Sequence, residues 1–338
     1  MKNPRGLCVT VARMKSLIVD QLGNLDDLHL VERESPALAE GQVRIKVSAC
    51  GLNYVDSLMI EGRYQIKPPV PYCPGSEITG VVTEVGPGVD AKMVGTRVFS
   101  PVGSGGFSDE VVTNARTCLP IPDALTDGQG ATFMQSYLTA WFAFTRRTTQ
   151  QAGKTMLVLG AGGGIGLAAV DAGVALGMKV IAAASSEEKR QLAVKAGAFA
   201  TIDVLTEDVK ARVREIAGGG VDIVYDPVGG DLAEPCLRAL NSDGQYMVVG
   251  FVAGIPKLPA NFVLLLNRTV VGVDWGAWVG KNQAENVKMI MEVMERIMKG
   301  ELHPVEPVTY PMSRAVDALR DMQNSKVAGK VALVPDFS

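Results

Sequence analysis

The stretch Thr155-Met156-Leu157-Val158-Leu159-Gly160-Ala161-Gly162-Gly163-Gly164-Ile165-Gly166 decides the fold. An uncharged, mostly apolar run leads into a glycine-rich turn, and the residues that follow, 167–177, are mostly small and apolar. A short apolar run that ends in glycines is typical of a buried strand, and the longer apolar run after it predicts a helix. We therefore interpret this stretch as a strand, a tight loop and a helix in immediate succession.

The glycines of the loop have the spacing of a dinucleotide-binding turn. Ala161, Gly163 and Gly166 form an A-x-G-x-x-G variant of the G-x-G-x-x-G pattern. The first position permits the tight turn, Gly163 lets the backbone approach a pyrophosphate, and Gly166 lets the helix pack against the strand. Backbone N–H groups at the helix N-terminus, which includes Gly164 and Ile165, suit an anionic ligand. A glycine-rich turn alone would be weak evidence, but the strand–loop–helix–strand context predicts a dinucleotide cofactor.

The end of the next predicted strand, Lys179–Ala184, favours NADPH over NADH. Enzymes that use NAD commonly carry an acidic residue at this point, which binds the ribose 2′-hydroxyl. Here Ser185 follows the strand, and Lys189 and Arg190 lie within one helical turn. A hydroxyl and cations suit a 2′-phosphate, which a carboxylate would repel. Ser185 and Glu188 also match a capping box, a role that is compatible with an anion at the helix start.

The pattern of strands divides the chain into two domains. From residue 136 to 302 apolar strands alternate with helices, which is typical of a parallel sheet covered on both faces. This predicts an α/β fold with a doubly wound Rossmann domain at 136–302. Residues 14–135 contain short strands separated by Gly and Pro, which predicts a β-rich domain. The segment 303–338 is too small to fold alone, so we expect it to return to the β-rich domain.

Composition excludes several classes of protein. The 338 residues are 47% hydrophobic and 20% charged, with a net charge of -3, and they show no basic patch for a nucleic acid. No apolar run is long enough for a membrane span or a signal peptide, so we expect neither a membrane nor a nucleic-acid partner. The five cysteines are widely spaced without a C-x-x-C pair, and the two histidines are isolated. This predicts reduced thiols and a cytoplasmic location. Residues 1–13 precede Met14, which reads like a start, and are interpreted as an N-terminal extension.

Six segments form a recognisable series along the chain. They are 49–56, 62–64, 74–82, 160–166, 225–230 and 329–330, with sequences such as Pro74-Gly75-Ser76-Glu77-Ile78-Thr79-Gly80 and Tyr225-Asp226-Pro227-Val228-Gly229-Gly230. In this order they resemble the zinc-free medium-chain dehydrogenase/reductase superfamily, and they are most similar to NADPH:quinone oxidoreductases of the ζ-crystallin type. The resemblance covers nearly the whole chain from Met14. It implies that the β-rich part is a GroES-like catalytic domain.

The same resemblance implies that no metal is bound. Zinc-containing relatives carry a cysteine where Asn53 stands, a histidine where Ser76 stands, and a second cysteine near residues 135–136. None of these ligands is present, and the lobe with four cysteines is missing between Arg97 and Val112. Because asparagine and serine are poor zinc ligands, we expect no zinc.

The resemblance also implies roles for single residues. The catalytic candidates are Asn53 and Asp56, which would line the nicotinamide end of the cleft, and Tyr64. The candidates for cofactor binding are Thr139, Gly163, Gly164, Ile165, Gly166, Ser185, Lys189, Gly250, Phe251, Arg268 and Lys330. Relatives often carry a tyrosine after the third Rossmann strand, where it contacts the 2′-phosphate. The corresponding segment here, Ile202-Asp203-Val204, has no tyrosine.

Several of these residues also have a purely structural interpretation. Asn53 and Asp56 could cap a helix that begins near Val55. Phe251 could be a core residue, Thr139 a hydroxyl on a helix surface, and Arg268 a member of a surface ion pair.

Three functions remain open from the sequence. A quinone that accepts a hydride becomes a stabilised phenolate, so its reduction needs neither a metal nor a strong protein acid. Reduction of an activated C=C bond in an alkenal, enone or enoyl-thioester would need a proton donor, and Tyr64 occupies the position of such a tyrosine in enoyl-thioester reductases of the superfamily. In quinone reductases a similar tyrosine only walls the cleft. The third possibility is a crystallin-like protein that binds NADPH without turnover.

The resemblance implies a homodimer. The predicted strand Thr269–Val273 and the following Asp274-Trp275-Gly276-Ala277-Trp278 lie where relatives pair sheet edges. An apolar edge strand without such a partner would invite aggregation.

Overall fold

The computed structural model describes residues 13–148 and 152–337, which separate into two units. The first unit comprises the chain as far as Thr132 together with Pro307–Lys326 and Val331 onward, and the second comprises Phe133–Glu306 and Val327–Lys330. The predicted domain limits lie within four residues of these, except that 327–330 packs with the second unit. The predicted extension, 1–13, lies outside the described residues apart from Arg13, which begins the first strand.

The N-terminal part of the chain is rich in strands. Its elements are β1 (Arg13–Ile18), β2 (His29–Glu34), β3 (Gln42–Leu52), α1 (Tyr54–Ile60), β4 (Glu77–Val85), β5 (Arg97–Pro101), β6 (Glu110–Asn114) and β7 (Leu119–Pro120). The long helix α2 (Asp127–Arg146) begins in this unit and ends in the next.

Strands and helices then alternate. The elements are β8 (Thr155–Leu159), α3 (Gly164–Ala175), β9 (Lys179–Ala184), α4 (Glu187–Lys195), β10 (Ala200–Asp203), α5 (Val209–Ala217), β11 (Val221–Asp226), α6 (Ala233–Arg238), β12 (Leu240–Val248), α7 (Ala260–Leu264), β13 (Thr269–Gly272), α8 (Trp275–Lys281) and α9 (Gln283–Met298). The chain then returns to the first unit with β14 (Val308–Pro311), α10 (Ala315–Gln323) and β15 (Val331–Val334).

The second unit is a Rossmann domain. Its six strands are ordered β10-β9-β8-β11-β12-β13, and each neighbouring pair is parallel. Counted from β8, this is the order 3-2-1-4-5-6 of a doubly wound dinucleotide-binding sheet. Apolar side chains from β8, β9 and β11, such as Leu157, Ile181 and Val224, are fully buried in its core. The predicted Rossmann fold is confirmed.

The first unit is built on antiparallel strands around β3. Its main sheet has the order β14-β15-β3-β4-β5-β7, with β6 also paired to β3, and β1 and β2 form a separate pair. Gly51 in β3 allows close packing, because a Cβ there would lie only 3.0 Å from the side chain of Glu77. The β-rich domain that the short strands predicted is therefore present.

Among the described residues, no helix is both long enough and apolar enough to cross a membrane.

Candidate functional site

The glycine-rich loop lies at the carboxyl end of β8, as the sequence predicted. Gly160 has a φ of +58°, a conformation that favours glycine, and it turns the chain out of the strand. The Gly163 N–H donates to the Gly160 carbonyl at 3.0 Å and closes the turn. Gly163 is the N-cap of α3, so the N-terminal backbone N–H groups of the helix point toward the loop.

Two of the glycines serve different purposes. A Cβ built on Gly166 would lie 2.7 Å from Ala161 Cα and also clash with the Gly160 carbonyl oxygen, so α3 can pack against the loop only if residue 166 is glycine. A Cβ built on Gly163 would find its nearest neighbour, Gly160 O, at 3.5 Å, which is an ordinary contact. The fold therefore leaves room at Gly163, and this room is available to a ligand.

Two lysines flank the loop. The stem of Lys189, at the start of α4, covers Gly162, and the stem of Lys330 covers Gly164, because a Cβ on either glycine would meet the lysine carbons. The Gly329 N–H donates to Gly162 O at 2.8 Å, which fixes the segment 327–330 against the loop. Burial lowers the pKa of Lys189, and a bound anion would compensate for that desolvation. Two cations beside a helix N-terminus suit a diphosphate.

The end of β9 differs in one detail from the prediction. Ser186, and not Ser185, is the N-cap of α4, since its hydroxyl accepts the Lys189 N–H at 3.3 Å. The predicted capping box of Ser185 with Glu188 is therefore wrong. The helix starts one residue later than that pattern implied, and the half-buried Ser185 stands outside the cap.

Arg190 is already paired within the protein. Its guanidinium lies 2.9 Å from Glu187 and 3.0 Å from Asp203, at the end of the neighbouring strand β10. The backbone N–H of Leu205 and the Arg190 charge keep the pKa of Asp203 below its usual value. Asp203, at the end of the strand beside β9, is thus paired with a cation, and Lys189 stays the predicted cation for a 2′-phosphate.

The predicted residues Gly250 and Phe251 lie beyond the carboxyl end of β12. The Gly250 N–H donates to Asp226 O at 3.2 Å, at the end of β11. Phe251 is 44% exposed, so the alternative interpretation of this residue as part of the hydrophobic core is wrong. Asp226 and its partner Tyr246 were not predicted as site residues, although Asp226 lies in one of the segments that carry the resemblance.

Thr139 and Arg268 have clear structural roles. Thr139 is half-buried on α2, and its hydroxyl donates to Gln135 O at 2.6 Å. Arg268 is buried just before β13, where its guanidinium donates to Leu240 O at 2.7 Å and to Phe262 O at 3.1 Å. Leu240 is the first residue of β12, so Arg268 lies at the edge of the parallel sheet opposite the glycine-rich loop. Arg268 therefore does not belong to the candidate cofactor site.

The candidate residues of the first unit form a buried polar cluster at the start of α1. The Asn53 side-chain amide donates to Glu77 Oε1 at 3.0 Å. The Asp56 carboxylate accepts the Asn53 N–H at 2.8 Å and the Gly75 N–H at 3.3 Å. Asp56 is 1% exposed, so it holds the helix start and the following loop and does not line a binding surface.

The sequence did not point to Glu77, and the role that it suggested for Tyr64 stays a prediction. Glu77, the first residue of β4, is buried and accepts one amide hydrogen of Asn53, a contact that no spacing rule reveals because the two residues are 24 positions apart. Tyr64 follows α1, its N–H donates to Leu58 O at 3.1 Å, and its side chain is half-buried.

The donor set does not fit a zinc ion. Within residues 13–148 and 152–337, no three His, Cys, Asp or Glu side chains are gathered in a way that could hold a metal. Asn53 is held by Glu77, and Ser76 offers only a hydroxyl. Burial raises the pKa of the nearby Cys50 well above its usual value, which disfavours the thiolate that a metal would need.

A parallel sheet in this order, the glycine-rich loop and the β-rich first unit together define a nucleotide-dependent medium-chain dehydrogenase/reductase. Residues 39–123 match the family model described as alcohol dehydrogenase GroES-like domain, and residues 164–295 match the one described as zinc-binding dehydrogenase. The quinone oxidoreductase-like protein 2 of Bos taurus is 35% identical over 295 residues, which are 86% of this chain and 84% of that protein. The quinone oxidoreductase of Rattus norvegicus is 33% identical over 304 residues, 88% and 91% of the two chains.

A solved structure agrees with these relatives. The Escherichia coli quinone oxidoreductase, complexed with NADPH, superposes with a TM-score of 0.85 at 26% identity and covers 95% of this chain and 100% of that one. The chain belongs to the quinone oxidoreductase-like family of the medium-chain dehydrogenase/reductase superfamily. The resemblance seen in the sequence is thereby confirmed.

Proposed function

We propose that the protein transfers a hydride from NADPH to a quinone without a metal ion. The observation that carries the proposal is the glycine-rich loop, with room at Gly163 and with Lys189 and Lys330 on either side, in a member of a family of NADPH-dependent oxidoreductases. Bound NADPH would supply the hydride. The protein would bind the pyrophosphate at the N-terminus of α3 and the 2′-phosphate with Ser185 and Lys189.

The polar residues of the first unit suit an acceptor that needs little acid catalysis. A quinone that gains a hydride places the negative charge on a phenolate oxygen, so hydrogen-bond donors suffice to stabilise it. Glu77 holds the Asn53 amide, and Asp56 holds the backbone around it, so this part of the unit is preorganised. A ketone would become an alkoxide, which needs a metal or a positioned acid. A quinone is therefore our first candidate for the hydride acceptor.

Reduction of an activated C=C bond is the second candidate, and the position of Tyr64 supports it. The side chain is half-buried on the loop after α1, so its phenol can meet a ligand that arrives from solvent. In this reaction Tyr64 would protonate the enolate left by hydride addition. Replacing Tyr64 by Phe should slow the reduction of an enone far more than that of a quinone, since only the former needs the proton. Equal loss with both acceptors would remove the acid role.

We further propose a homodimer formed at the edge of the Rossmann sheet. β13 is the terminal strand of the six, and Val270 on it is 39% exposed. Just before it, Leu264, Leu265 and Leu266 are 78%, 57% and 49% exposed. An apolar edge of this kind suits a second copy of the chain. Sedimentation should give twice the chain mass, and Val270→Asp should shift the equilibrium toward monomer; a monomeric wild-type protein would refute the dimer.

The test of the proposed function is NADPH consumption in parallel assays with a simple quinone and with an α,β-unsaturated carbonyl, each with a control without enzyme. Faster consumption with the quinone, unchanged by a zinc chelator, is the expected result. Preference for the enone would transfer the assignment to C=C reduction. Binding of NADPH without turnover of either acceptor would indicate a crystallin-like protein.

A further inference from the structure

Asp226 accepts several hydrogen bonds, although the proposed reaction gives this residue no role. It is the last residue of β11 and is fully buried. The N–H groups of Val228 and Gly229 donate to its Oδ1 at 2.7 and 2.8 Å, and the Tyr246 hydroxyl donates to its Oδ2. Both carboxylate oxygens are thus committed, one to the following loop and one to the neighbouring strand β12.

The backbone of Asp226 joins a second loop. Its carbonyl oxygen accepts the N–H of Val249 at 2.9 Å and that of Gly250 at 3.2 Å, at the end of β12. One residue therefore holds the first residues after two neighbouring strands, through its carboxylate on one side and its carbonyl on the other. The loop 227–230 and the loop 249–254 start from a common fixed point.

The two loops are also bonded along their length. The Ala253 N–H donates to Val228 O at 2.9 Å, and the Gly230 N–H donates to Gly254 O at 2.8 Å. Gly229 has a φ of +68°, and a Cβ there would lie 2.5 Å from Gly254 O, so the loops touch at a point that only glycine allows. A change in the turn that Asp226 closes would therefore move the loop that carries Phe251.

The loop pair reaches the glycine-rich loop. A Cβ on Gly160 would lie 3.0 Å from Val228 Cγ2, so Val228 packs directly on the turn that follows β8. β8 and β11 are adjacent in the sheet and mark the point where the strand order reverses. In doubly wound sheets the ligand lies outside the carboxyl ends of the strands at this point.

We propose that Asp226 is a positioning residue, which acts through the paired loops 227–230 and 249–254 to hold the nicotinamide ring in one orientation for hydride transfer. The inference rests on the proposed function. Ser185 and Lys189, which would bind the 2′-phosphate, follow the end of β9, which lies on the side of β8 away from β11. The hydrogen bonds of Asp226 with backbone N–H groups reach the loops after β11 and β12, so we expect it to act on the nicotinamide end of NADPH.

Burying the Asp226 carboxylate costs desolvation free energy that an apolar side chain at this position would avoid. Burial raises the pKa of Asp226 above its ordinary value, and it also raises the pKa of Tyr246. An apolar pair of similar size would fill the same space without that desolvation. An apolar pair could not, however, accept the N–H groups of Val228 and Gly229, and these hydrogen bonds hold the turn closed.

The experiment compares Asp226→Ala with Asp226→Asn. The asparagine amide oxygen can accept the same two N–H groups, and its NH2 can donate to the Tyr246 oxygen, so this variant is the matched control. Each protein is given NADPH that carries deuterium on one face of C4 or on the other, and the deuterium kept in the product NADP+ is measured, because a label passed to the quinone ends in an exchangeable hydroxyl group. Binding of 2′,5′-ADP, which lacks the nicotinamide, and the fluorescence of bound NADPH are measured in parallel.

We expect the wild type and Asp226→Asn to transfer deuterium from a single face. Asp226→Ala should transfer from both faces, with kcat lower by roughly ten- to a hundredfold and with weaker NADPH fluorescence, while its affinity for 2′,5′-ADP changes less than about twofold. A merely structural aspartate would lower stability without changing the face that is transferred.

Two results would overturn the inference. One is an Asp226→Ala protein that keeps a single transferred face and the wild-type kcat. The other is a parallel loss of 2′,5′-ADP affinity, which would indicate general damage. If Asp226→Ala does not fold, Tyr246→Phe removes one of the bonds to the carboxylate and should show the same loss of face selection in milder form. A wild type that binds NADPH but reduces no quinone would refute the proposed function, and the fluorescence comparison would still decide the role of Asp226.

Discussion

Replacing Gly163 and Gly166 by alanine, one at a time, should separate cofactor binding from folding within a single loop. Both glycines belong to the same fingerprint, and both have ordinary negative φ values that alanine can adopt. They differ in what an added methyl group would meet. At position 166 it meets the backbone of Gly160 and Ala161, the latter at 2.7 Å, whereas at position 163 its nearest neighbour is 3.5 Å away.

These distances set the expected magnitudes. Backbone atoms cannot rotate away, so in Gly166→Ala the helix α3 must move from the strand, at a cost of about 1–3 kcal/mol of unfolding free energy. Gly163→Ala adds no clash. Alanine is a poorer N-cap residue than glycine, but it lowers the backbone entropy of the unfolded chain. The two effects nearly offset each other, so the stability of this variant should stay within about 1 kcal/mol of the wild type. If a pyrophosphate fills the room at Gly163, the methyl group displaces it, and the Kd for NADPH should rise about ten- to a hundredfold.

The assay is a pair of measurements on each variant, thermal unfolding and titration with NADPH followed by its fluorescence. Gly163→Ala should bind poorly but unfold like the wild type, and Gly166→Ala should unfold several degrees earlier. The reasoning is refuted if Gly163→Ala binds NADPH with the wild-type Kd, because the cofactor would then not occupy the room that the loop leaves.

Four further predictions follow from single contacts. Lys189→Ala should weaken NADPH binding about tenfold and NADH binding much less, because only NADPH carries the 2′-phosphate, and competition titrations will show the difference. Arg268→Met should lower the melting temperature, since it strips hydrogen bonds from buried carbonyl oxygens, but should leave the Kd for NADPH unaltered. Tyr225 is fully buried, and its hydroxyl has no partner in the described structure, so Tyr225→Phe should raise the unfolding free energy by on the order of 1 kcal/mol; a loss would reveal a hidden partner. Because burial raises the pKa of Asp226, the folded protein holds that proton more tightly than the unfolded chain, and its stability relative to Asp226→Asn should fall as the pH rises through the raised pKa.

The sequence predicted those parts of the fold that depend on local patterning. The apolar strand at 155–159 and the glycine spacing after it require only neighbouring residues, and the parallel Rossmann sheet followed from the alternation of strands and helices. The short strands before residue 132 likewise predicted a β-rich unit. Patterning could not predict that the segment 327–330 packs with the Rossmann domain, because the bond from Gly329 to Gly162 joins residues far apart in the chain.

The candidate site, too, could be predicted from the sequence only in part. Asn53 and Asp56 were chosen by resemblance, but their surroundings depend on Glu77 and Gly75, which reach them from β4 and the loop before it. Arg268 was misplaced because a lone arginine gives no sign of which edge of a sheet it will occupy. The roles of Asn53, Tyr64 and the cofactor residues at positions such as Thr139 stay predictions until variants are measured.

The discontinuity of the first unit has a consequence for biosynthesis. β15 pairs with Cys50–Leu52 of β3, yet a ribosome makes the whole stretch Phe133–Glu306 between them. At about 5–20 residues per second, these roughly 170 residues take on the order of 10–35 s. During that time the nascent first unit carries an open strand edge, while the Rossmann domain emerges and can begin to fold beside it. The unit made first is therefore completed last, and it is the one that most needs protection while the chain is still attached.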